Sequence, residues 1–504
     1  MSSLRSRNET GSLVQRCFHV ERHELARRVA SGVAWQFGLS GLRVIATIGS
    51  TAVLARLLSP SDYGLVAMTT VVVEVAGLFS NLGFGAILIQ KRRLARVDLD
   101  AVFWASLIIG AVVGLLVCIA AYPVAWFFKE PRLVELLWLS ALSLVIQQMT
   151  VVPSAVISRL LLFRLEVLLQ AGQLLVRIAI AIALAWAGAG VWSLVISPFA
   201  AIVLYTTIVL SVTGYCPRRR LNRSFIAENW RMSGSFLGSG ILHYVQSNFD
   251  FMVVGRRFGA EQLGYYQTAY SVPDELRNRL SGPLQRVLFP AYSLLQQDLI
   301  AFRDAVGRSQ KMLAAVLLPI GAGLAVVAEE FVGVVYGARW APVVPLLQVL
   351  AVGGALRATF SLVASIFYAT GRPDLALKIN LVSAPFVLGA ILAGSEWGVI
   401  GVAWAMVLVM LPSFVSAHIA MKLIGGSLVT FLDAQWTPAL GTLCMVLSLI
   451  VGKGLLSLSD SVAVALVLQI VVGGVIYVTT LVLIDRAFVK EGLAICASVL
   501  ARKR

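Results

Sequence analysis

The sequence predicts an all-α polytopic membrane protein with about 14 transmembrane helices, in two pseudo-symmetric six-helix lobes followed by two C-terminal helices. Hydrophobic residues make up 59% of the 504 residues and charged residues only 13%, too few to cover a water-soluble domain of this size. Apolar runs of about 20 residues recur along the chain, and basic residues concentrate in alternate connections between them.

Each span is placed where an apolar run can cross a hydrocarbon core about 30 Å thick. The predicted spans cover 31–56, 65–89, 101–122, 133–154, 167–187, 190–211, 232–255, 262–291, 310–328, 343–369, 375–394, 398–421, 434–453 and 462–484. They divide the chain into a basic tail (1–30), an N-lobe (31–211), a linker (212–231), a C-lobe (232–421), two extra helices (422–484) and a second basic tail (485–504).

The basic residues predict which face of the membrane each loop occupies. Cytoplasmic loops are rich in Lys and Arg, which places the clusters at 91–96, 159–164 and 218–223 inside, and with them both chain termini. The net charge of +16 is scattered over short loops, so topology explains it and nucleic acid is not expected as a partner.

Several chemistries lack a sequence signature. The five cysteines lie far apart with no C-x-x-C spacing, so neither a disulfide framework nor a metal site is expected, and no cofactor is indicated. No P-loop, H-E-x-x-H or G-x-S-x-G pattern occurs, and the longest loops have about 20 residues. An enzyme is therefore not expected.

A shift of 200 residues superimposes rare polar positions of the two predicted lobes. The matched pairs are Arg43 with His243, Arg56 with Arg256, Gly64 with Gly264, and Glu74 with Asp274. Six spans lie between equivalent points, and an even number gives both halves the same orientation. The sequence thus predicts two parallel bundles related by an axis along the membrane normal.

Ionisable residues at membrane depth are costly and normally face a protein interior or a wet cavity. Arg43, Arg177 and Arg357 lie within predicted spans, and Asp274 and Arg277 lie in the eighth and least apolar span. The seventh span carries one polar helical stripe, made of Ser239, His243, Gln246 and Asp250. Interhelical ion pairs are the alternative for the arginines and carboxylates, and an interior histidine for His243. The eighth span could instead be two amphipathic pieces in the membrane interface.

The segment Ala55-Arg-Leu-Leu-Ser-Pro-Ser-Asp-Tyr-Gly64, with Asn81-Leu-Gly-Phe-Gly85 after the next helix, resembles the N-terminal signature of Wzx-type oligosaccharide flippases. These form part of the polysaccharide transporter branch of the multidrug/oligosaccharidyl-lipid/polysaccharide (MOP) exporter superfamily. The stretches Gly337-Ala-Arg-Trp340 and Tyr368-Ala-Thr-Gly-Arg372 are typical of the same group.

The resemblance implies a location in the bacterial inner membrane and translocation of an undecaprenyl-pyrophosphate-linked oligosaccharide. That substrate feeds exopolysaccharide, capsule or lipopolysaccharide O-antigen biosynthesis. Besides membrane lipids, the expected partners are a polysaccharide polymerase and chain-length machinery. Two alternatives stay open: a drug or small-molecule exporter of the same superfamily, for which the deep charges are too basic, and a non-transporting component of polysaccharide assembly.

A pyrophosphate drawn through a low-dielectric region needs fixed cations along its route. The residues expected to line the substrate cavity are Arg43, Arg177, Ser239, His243, Gln246, Arg277 and Arg357. Within this set the cations would bind the pyrophosphate, and Ser239 and Gln246 would bind sugar hydroxyls. Glu74, Asp250 and Asp274 are the candidates for ion coupling, because such coupling requires a carboxylate at depth.

Overall fold

The computed structural model describes residues 25–80, 84–91, 94–218, 223–456 and 461–491, and these residues form helices and short connections without a β-strand. The predicted all-α polytopic fold is confirmed. The chain forms two compact units, one ending at Gly264 and the other beginning at Tyr265. The predicted lobe boundaries stay a prediction.

Unit 1 contains the first eight helices and the beginning of the ninth. Their bounds are α1 Leu25–Leu57, α2 Pro60–Ser80, α3 Phe84–Gln90, α4 Arg96–Phe128, α5 Leu133–Gln148, α6 Val151–Arg159, α7 Phe163–Trp186, α8 Val191–Thr213 and α9 Arg223–Leu294. The backbone of α9 is interrupted at Gly259, where φ is 82° and ψ is −177°. Within unit 1, α4 packs on α5, α7 on α8, and α1 on α7. One of its cores is aromatic and aliphatic, around Phe84, Leu99 and Phe103.

Unit 2 continues α9 and adds nine further helices. These are α10 Leu299–Val326, α11 Ala328–Val335, α12 Val343–Thr359, α13 Val363–Ala369, α14 Pro373–Gly394, α15 Gly398–Leu408, α16 Leu411–Leu423, α17 Leu428–Leu456 and α18 Val462–Ile484. Here α10 packs on both α12 and α17, and α15 packs on α12 and α14. One of its cores joins Tyr292, Phe302, Phe367 and Phe431.

The membrane character of the chain is visible in helix length and in exposed apolar surface. Among the described residues, nine helical stretches are long and apolar enough to cross a membrane, or ten if the bent pair α5–α6 is one span. The run 373–423 counts once there although two spans are predicted in it, and α1 and the charged α9 lie outside the set. Trp186, Val451 and Leu483 are more than three-quarters exposed, as expected for side chains in contact with lipid. The count of about 14 spans stays a prediction.

The motif at 59–62 forms the start of α2. The Asp62 carboxylate accepts the Ser59 backbone N–H at 2.8 Å, and the Ser59 hydroxyl oxygen accepts the Asp62 N–H at 3.2 Å. Pro60 occupies the first helical position, where its missing N–H costs no hydrogen bond. These reciprocal side-chain bonds make Ser-Pro-Ser-Asp a helix-initiating capping box.

The other two motifs also serve the fold. Gly337 has a φ of +91°, and Trp340 just after it is fully buried against Tyr265 and Tyr336. Gly371 has a φ of +69° in the turn that ends α13, and Pro373 then begins α14. These three stretches therefore begin, end or anchor helices, and residues 81–83 of the fourth stretch lie outside the described residues.

Gly64 and Gly264 lie at a close helix crossing. A Cβ on Gly64 would lie 1.7 Å from the Ala260 carbonyl oxygen, and a Cβ on Gly264 would lie 1.8 Å from the Pro60 carbonyl oxygen. A shift of 200 residues converts one contact into the other, because Pro60 is then matched with Ala260. The crossing requires glycine at both positions and agrees with the predicted repeat.

Candidate functional site

A polar cleft in unit 2 brings together three of the predicted site residues, Asp274, Arg277 and Arg357. It encloses about 340 Å³ of empty space that includes open solvent, between α9, α12 and α15. Its remaining lining residues are Tyr270, Pro273, Leu350, Gly353, Gly354, Met406 and Val407. The sequence pattern placed these charges at membrane depth, and the fold joins them in one site.

Helical spacing on α9 aligns Tyr270, Asp274 and Arg277, because residues at i, i+4 and i+7 share a face. The Asp274 carboxylate accepts from the Arg277 guanidinium at 2.5 Å and from the Asn278 amide at 2.8 Å. Arg277 and Asp274 are each a little over one-quarter exposed, so this ion pair borders open space. The ion pair holds Arg277 in place while leaving one side of it accessible.

Arg357 enters the cleft from α12. Its guanidinium donates to the Tyr270 hydroxyl at 3.0 Å and lies 6.0 Å from the centre of that ring. Arg277 and Arg357 lie close enough for their like charges to interact. Counting one negative charge for Asp274 and one positive charge for each arginine, these three side chains give the cleft a net formal charge of +1.

Small residues on α12 bring Arg357 into this position. A Cβ on Gly353 would lie 2.7 Å from Val407 Cγ2 on α15, and a Cβ on Gly354 would lie 3.2 Å from the Pro273 Cβ. A side chain at Gly353 would overlap Val407, and one at Gly354 would press on Pro273, so the two glycines allow α12 to lie this close to both neighbouring helices. The cleft thus depends on two adjacent glycines that no pattern in the sequence distinguishes from other glycines.

Arg43 and Arg177 lie in unit 1, where the structure connects Arg43 to α7. The Arg43 guanidinium donates to the Gln170 side-chain carbonyl at 2.8 Å, and the Gln170 amide donates to Glu166 at 3.3 Å. Arg177 lies on the same helix, and its side chain is exposed. Unit 1 therefore presents an Arg43–Gln170–Glu166 chain on the helix that also bears Arg177.

Glu74 and Asp250 are brought together in unit 1 around Tyr244, which was not among the predicted site residues. The Tyr244 hydroxyl donates to the Val71 carbonyl at 3.0 Å, and the carboxylates of Glu74 and Asp250 lie near enough to interact with that hydroxyl. Asp250 is fully buried, whereas Glu74 is exposed. Two of the three ion-coupling candidates thus share one environment.

The predicted polar stripe on the seventh span is described in part. Gln246 is half-buried and Asp250 is fully buried. The side chains of Ser239 and His243 lie outside the described residues. Tyr244 and Tyr270 have no signal in hydropathy, because tyrosine at such positions is ordinarily an interior packing residue.

The helical architecture and the charged cleft define a polytopic α-helical membrane protein with an ionic site inside a helix bundle. Residues 53–345 match a family model described as "Polysaccharide biosynthesis protein". The match covers more than half of the chain, and the protein belongs to that family. The predicted relationship to Wzx-type proteins is confirmed.

Two curated relatives are similar over most of the chain. Lipopolysaccharide biosynthesis protein WzxC of Escherichia coli (strain K12) is 25% identical over 428 residues, covering 82% of this chain and 85% of its own. Succinoglycan biosynthesis transport protein ExoT of Rhizobium meliloti (strain 1021) is 25% identical over 485 residues, covering 92% and 95%.

A solved structure shares the fold. The Lipid II flippase MurJ in an inward closed conformation superposes with a TM-score of 0.70 at 15% sequence identity, covering 91% of this chain and 99% of that chain. At this identity the likeness extends to the fold, and the multi-helix plan predicted from the sequence agrees with it.

Proposed function

We propose that this protein is a flippase that translocates an undecaprenyl-pyrophosphate-linked oligosaccharide across the bacterial inner membrane, by alternating access around a cationic cavity. The observation that carries the proposal is the unit 2 cleft, where Arg277 and Arg357 meet near the middle of the membrane-length stretch 343–369. Cations are retained at such depth when they line a polar pathway or bind an anion. The names of the relatives and of the solved structure support the same choice.

The cleft fits a phosphate-rich group better than a cationic drug. Guanidinium groups bind phosphate oxygens through paired N–H donors, and desolvation strengthens such charge-assisted bonds. The net charge of +1 would repel a cation. The cleft adjoins open solvent, so the sugars would lie outside it while the pyrophosphate occupies it.

Reconstitution of the purified full chain in vesicles with a fluorescent undecaprenyl-pyrophosphate oligosaccharide tests the proposal. A membrane-impermeant quencher then measures how fast the label changes leaflet. The double variant Arg277→Gln/Arg357→Gln should flip at least about a hundredfold more slowly, because two charge-assisted hydrogen bonds are lost. Arg372→Gln is the matched control, since Arg372 is half-exposed and pairs with Asp374 outside the cleft.

Three outcomes contradict different parts of this proposal. A wild-type rate equal to that of empty vesicles would overturn the flippase assignment and favour a non-transporting role in polysaccharide assembly. Unchanged flipping by the double variant would remove the cleft from the route. Export of a lipophilic cation by wild-type vesicles, without flipping, would favour the drug exporter.

We also propose that Glu74 and Asp250 couple transport to an ion gradient around Tyr244. Both carboxylates act on the Tyr244 hydroxyl, and Asp250 is fully buried, so this group is a candidate place for a proton or a metal cation to bind during transport. The triple variant Glu74→Gln/Asp250→Asn/Asp274→Asn should lose the dependence of flipping on an imposed proton or sodium gradient. Retained dependence on either gradient would remove this part of the proposal.

The remaining expectations complete the proposed biological setting. Both termini would be cytoplasmic, the chain would carry no enzymatic activity, and a polysaccharide polymerase and chain-length machinery would be its partners. The alternating basic loops support the orientation. Membership of the polysaccharide biosynthesis family supports the proposal that the partners are other proteins of polysaccharide assembly.

A further inference from the structure

A second pocket adjoins the charged cleft within unit 2. About 260 Å³ of empty space, including open solvent, lies between α9, α10 and α12. Pro273, Arg277 and Gly354 line both pockets. The other lining residues are apolar and mostly small: Leu317, Ile320, Gly321, Leu324, Ala351, Ala355 and Ala358.

Close backbone approach defines one wall of this second pocket. A Cβ on Gly321 would lie 2.3 Å from the Ala355 Cβ and 2.7 Å from the Ala351 carbonyl oxygen, so α10 and α12 are in direct contact there. Leu317 and Ala358 belong to a buried apolar cluster beside it. Apart from the Arg277 side chain at its edge, the pocket offers hydrocarbon and small side chains to an occupant.

The two pockets differ in chemistry and share one arginine. A ligand that fills both pockets needs an anionic end that binds Arg277 and Arg357. A short hydrocarbon segment must be joined directly to that end, so that it excludes water from the wall formed by α10 and α12. A prenyl diphosphate has this form, because its first isoprene unit follows the diphosphate without an intervening polar group. A glycerophospholipid places a polar glycerol ester between phosphate and hydrocarbon, which matches the apolar pocket poorly.

We propose that the apolar pocket binds the first isoprene unit of the lipid carrier while the charged cleft holds its diphosphate. This inference rests on the proposed function and adds a subsite to it. The protein thereby recognises the junction between diphosphate and lipid, which every sugar linked to a polyprenyl diphosphate shares. The remainder of the polyprenyl chain extends beyond the pocket.

Binding of geranyl diphosphate and of inorganic pyrophosphate to the full chain in lipid nanodiscs tests the subsite. The wild-type protein should bind geranyl diphosphate at least about tenfold more tightly than inorganic pyrophosphate, because the apolar pocket removes several carbon atoms from water. Leu324→Trp fills the pocket and should abolish this advantage while leaving pyrophosphate affinity unchanged. Ile320→Phe, a smaller change at the pocket rim, should reduce it.

Val316→Trp is the matched control, since Val316 is an exposed residue of α10 that lines neither pocket. This variant should bind geranyl diphosphate more tightly than pyrophosphate by the same factor as wild type. If Leu324→Trp also keeps that factor, partition into the bilayer explains the tighter binding of geranyl diphosphate, and the subsite is overturned. Equal wild-type affinity for the two ligands overturns the subsite and leaves the anion cleft standing.

Two further measurements distinguish a failure of the subsite from a failure of the proposed function and from general lipid binding. Failure of both ligands to bind overturns the cleft, and with it the central observation behind the proposed function. Raising the phosphatidylglycerol fraction of the nanodisc should change the affinity for geranyl diphosphate by no more than about twofold. Competition by that phospholipid would identify a general anionic lipid site and overturn the assignment to a prenyl carrier.

Discussion

In the proposed mechanism, Asp274 would limit how strongly the cleft attracts an anion. It accepts hydrogen bonds from Arg277 and Asn278, and its charge offsets one of the two arginines. A transporter must release its substrate as well as bind it, so a carboxylate beside the cations is compatible with turnover. This side chain gives the cleft an internal counter-charge.

Asp274→Asn should therefore bind inorganic pyrophosphate more tightly, by roughly threefold to tenfold, because the net charge of the cleft rises from +1 to +2. Flipping should become slower, since release of the anion is then harder. Titration of pyrophosphate against the purified variant measures the first effect. Asp374→Asn, at an exposed ion pair of the same unit, should leave affinity unchanged, and weaker binding by Asp274→Asn would contradict this role.

Asp485 lies just beyond α18 and connects it to α10. Lys311 donates to its carboxylate, and the Phe488 backbone N–H donates to it at 3.0 Å. The hydrogen bond from Lys311, followed by the one from Phe488, holds the pKa of the Asp485 carboxyl below its ordinary value. A folded-state pKa below the unfolded value means that the stabilisation is complete above the unfolded pKa of about 3.9, and is lost as pH falls through the folded pKa.

Asp485→Asn should therefore lower the free energy of unfolding by about 1 kcal/mol at pH 7, a value limited by partial exposure of the pair. The difference from wild type should shrink as pH falls below about 4. Thermal unfolding of the detergent-solubilised variants across this pH range measures it. Asp433→Asn, at an exposed aspartate of α17, is the control, and a difference that persists undiminished in acid would contradict the assignment.

Single residues show how far the sequence could define the site. Arg277 and Asp274 were predictable, because charges in a hydrophobic chain are conspicuous. Their meeting with Arg357 was not, since it depends on Gly353 and Gly354 fixing where α12 approaches its neighbours. No local pattern encodes the hydrogen bond from Arg357 to Tyr270, which spans 87 positions in the sequence.

Helix ends and crossings were predictable to different degrees. The Ser-Pro-Ser-Asp motif marks the start of α2 by rules that involve only neighbouring residues. The close crossing of Gly64 with the 260–264 segment depends on contacts almost 200 positions apart, so the sequence could only pair the glycines by their shift. The seventh and eighth spans were predicted separately at 232–255 and 262–291, and the break at Gly259 lies between them.

Gly64→Ala should destabilise the protein by at least about 2 kcal/mol, because the added methyl group would overlap the Ala260 carbonyl and force the helices apart. The melting temperature of the purified protein in detergent measures the change. Gly77→Ala, on the same helix with nothing within 4 Å of its added Cβ, should be neutral or slightly stabilising. Equal melting temperatures for the two variants would show that the crossing tolerates a side chain.

At the scale of the whole molecule, composition and span length were sufficient for the fold class. Burial inside a bilayer forces backbone hydrogen bonds to be satisfied within each helix, so apolar runs of span length leave few alternatives. The number of spans was less accessible, because α1 and α9 carry charges and α14–α16 form one long apolar stretch. A count based on hydropathy alone omits charged helices such as α1 and α9 and merges adjacent apolar helices such as α14–α16.

Orientation can be tested with single cysteines in a cysteine-free background. Arg372→Cys, in the turn before α14, should react with a thiol reagent only from the cytoplasmic side. Glu396→Cys, in the exposed turn between α14 and α15, should react only from the opposite side. A membrane-impermeant maleimide applied to intact cells and to inverted vesicles distinguishes the faces, and labelling of both positions from one face would contradict the predicted topology.

The reciprocal glycine crossing also bears on the ancestry of the chain. Two identical polypeptides paired across a twofold axis make contacts in matched pairs, with residue i against j and residue j against i. Pro60 with Gly264 and Gly64 with Ala260 form such a pair once the two halves are superimposed. In a homodimer of a half-length ancestral chain, the one glycine of each copy would lie against the backbone of the other copy. Fusion of two gene copies would then have preserved this existing dimer contact.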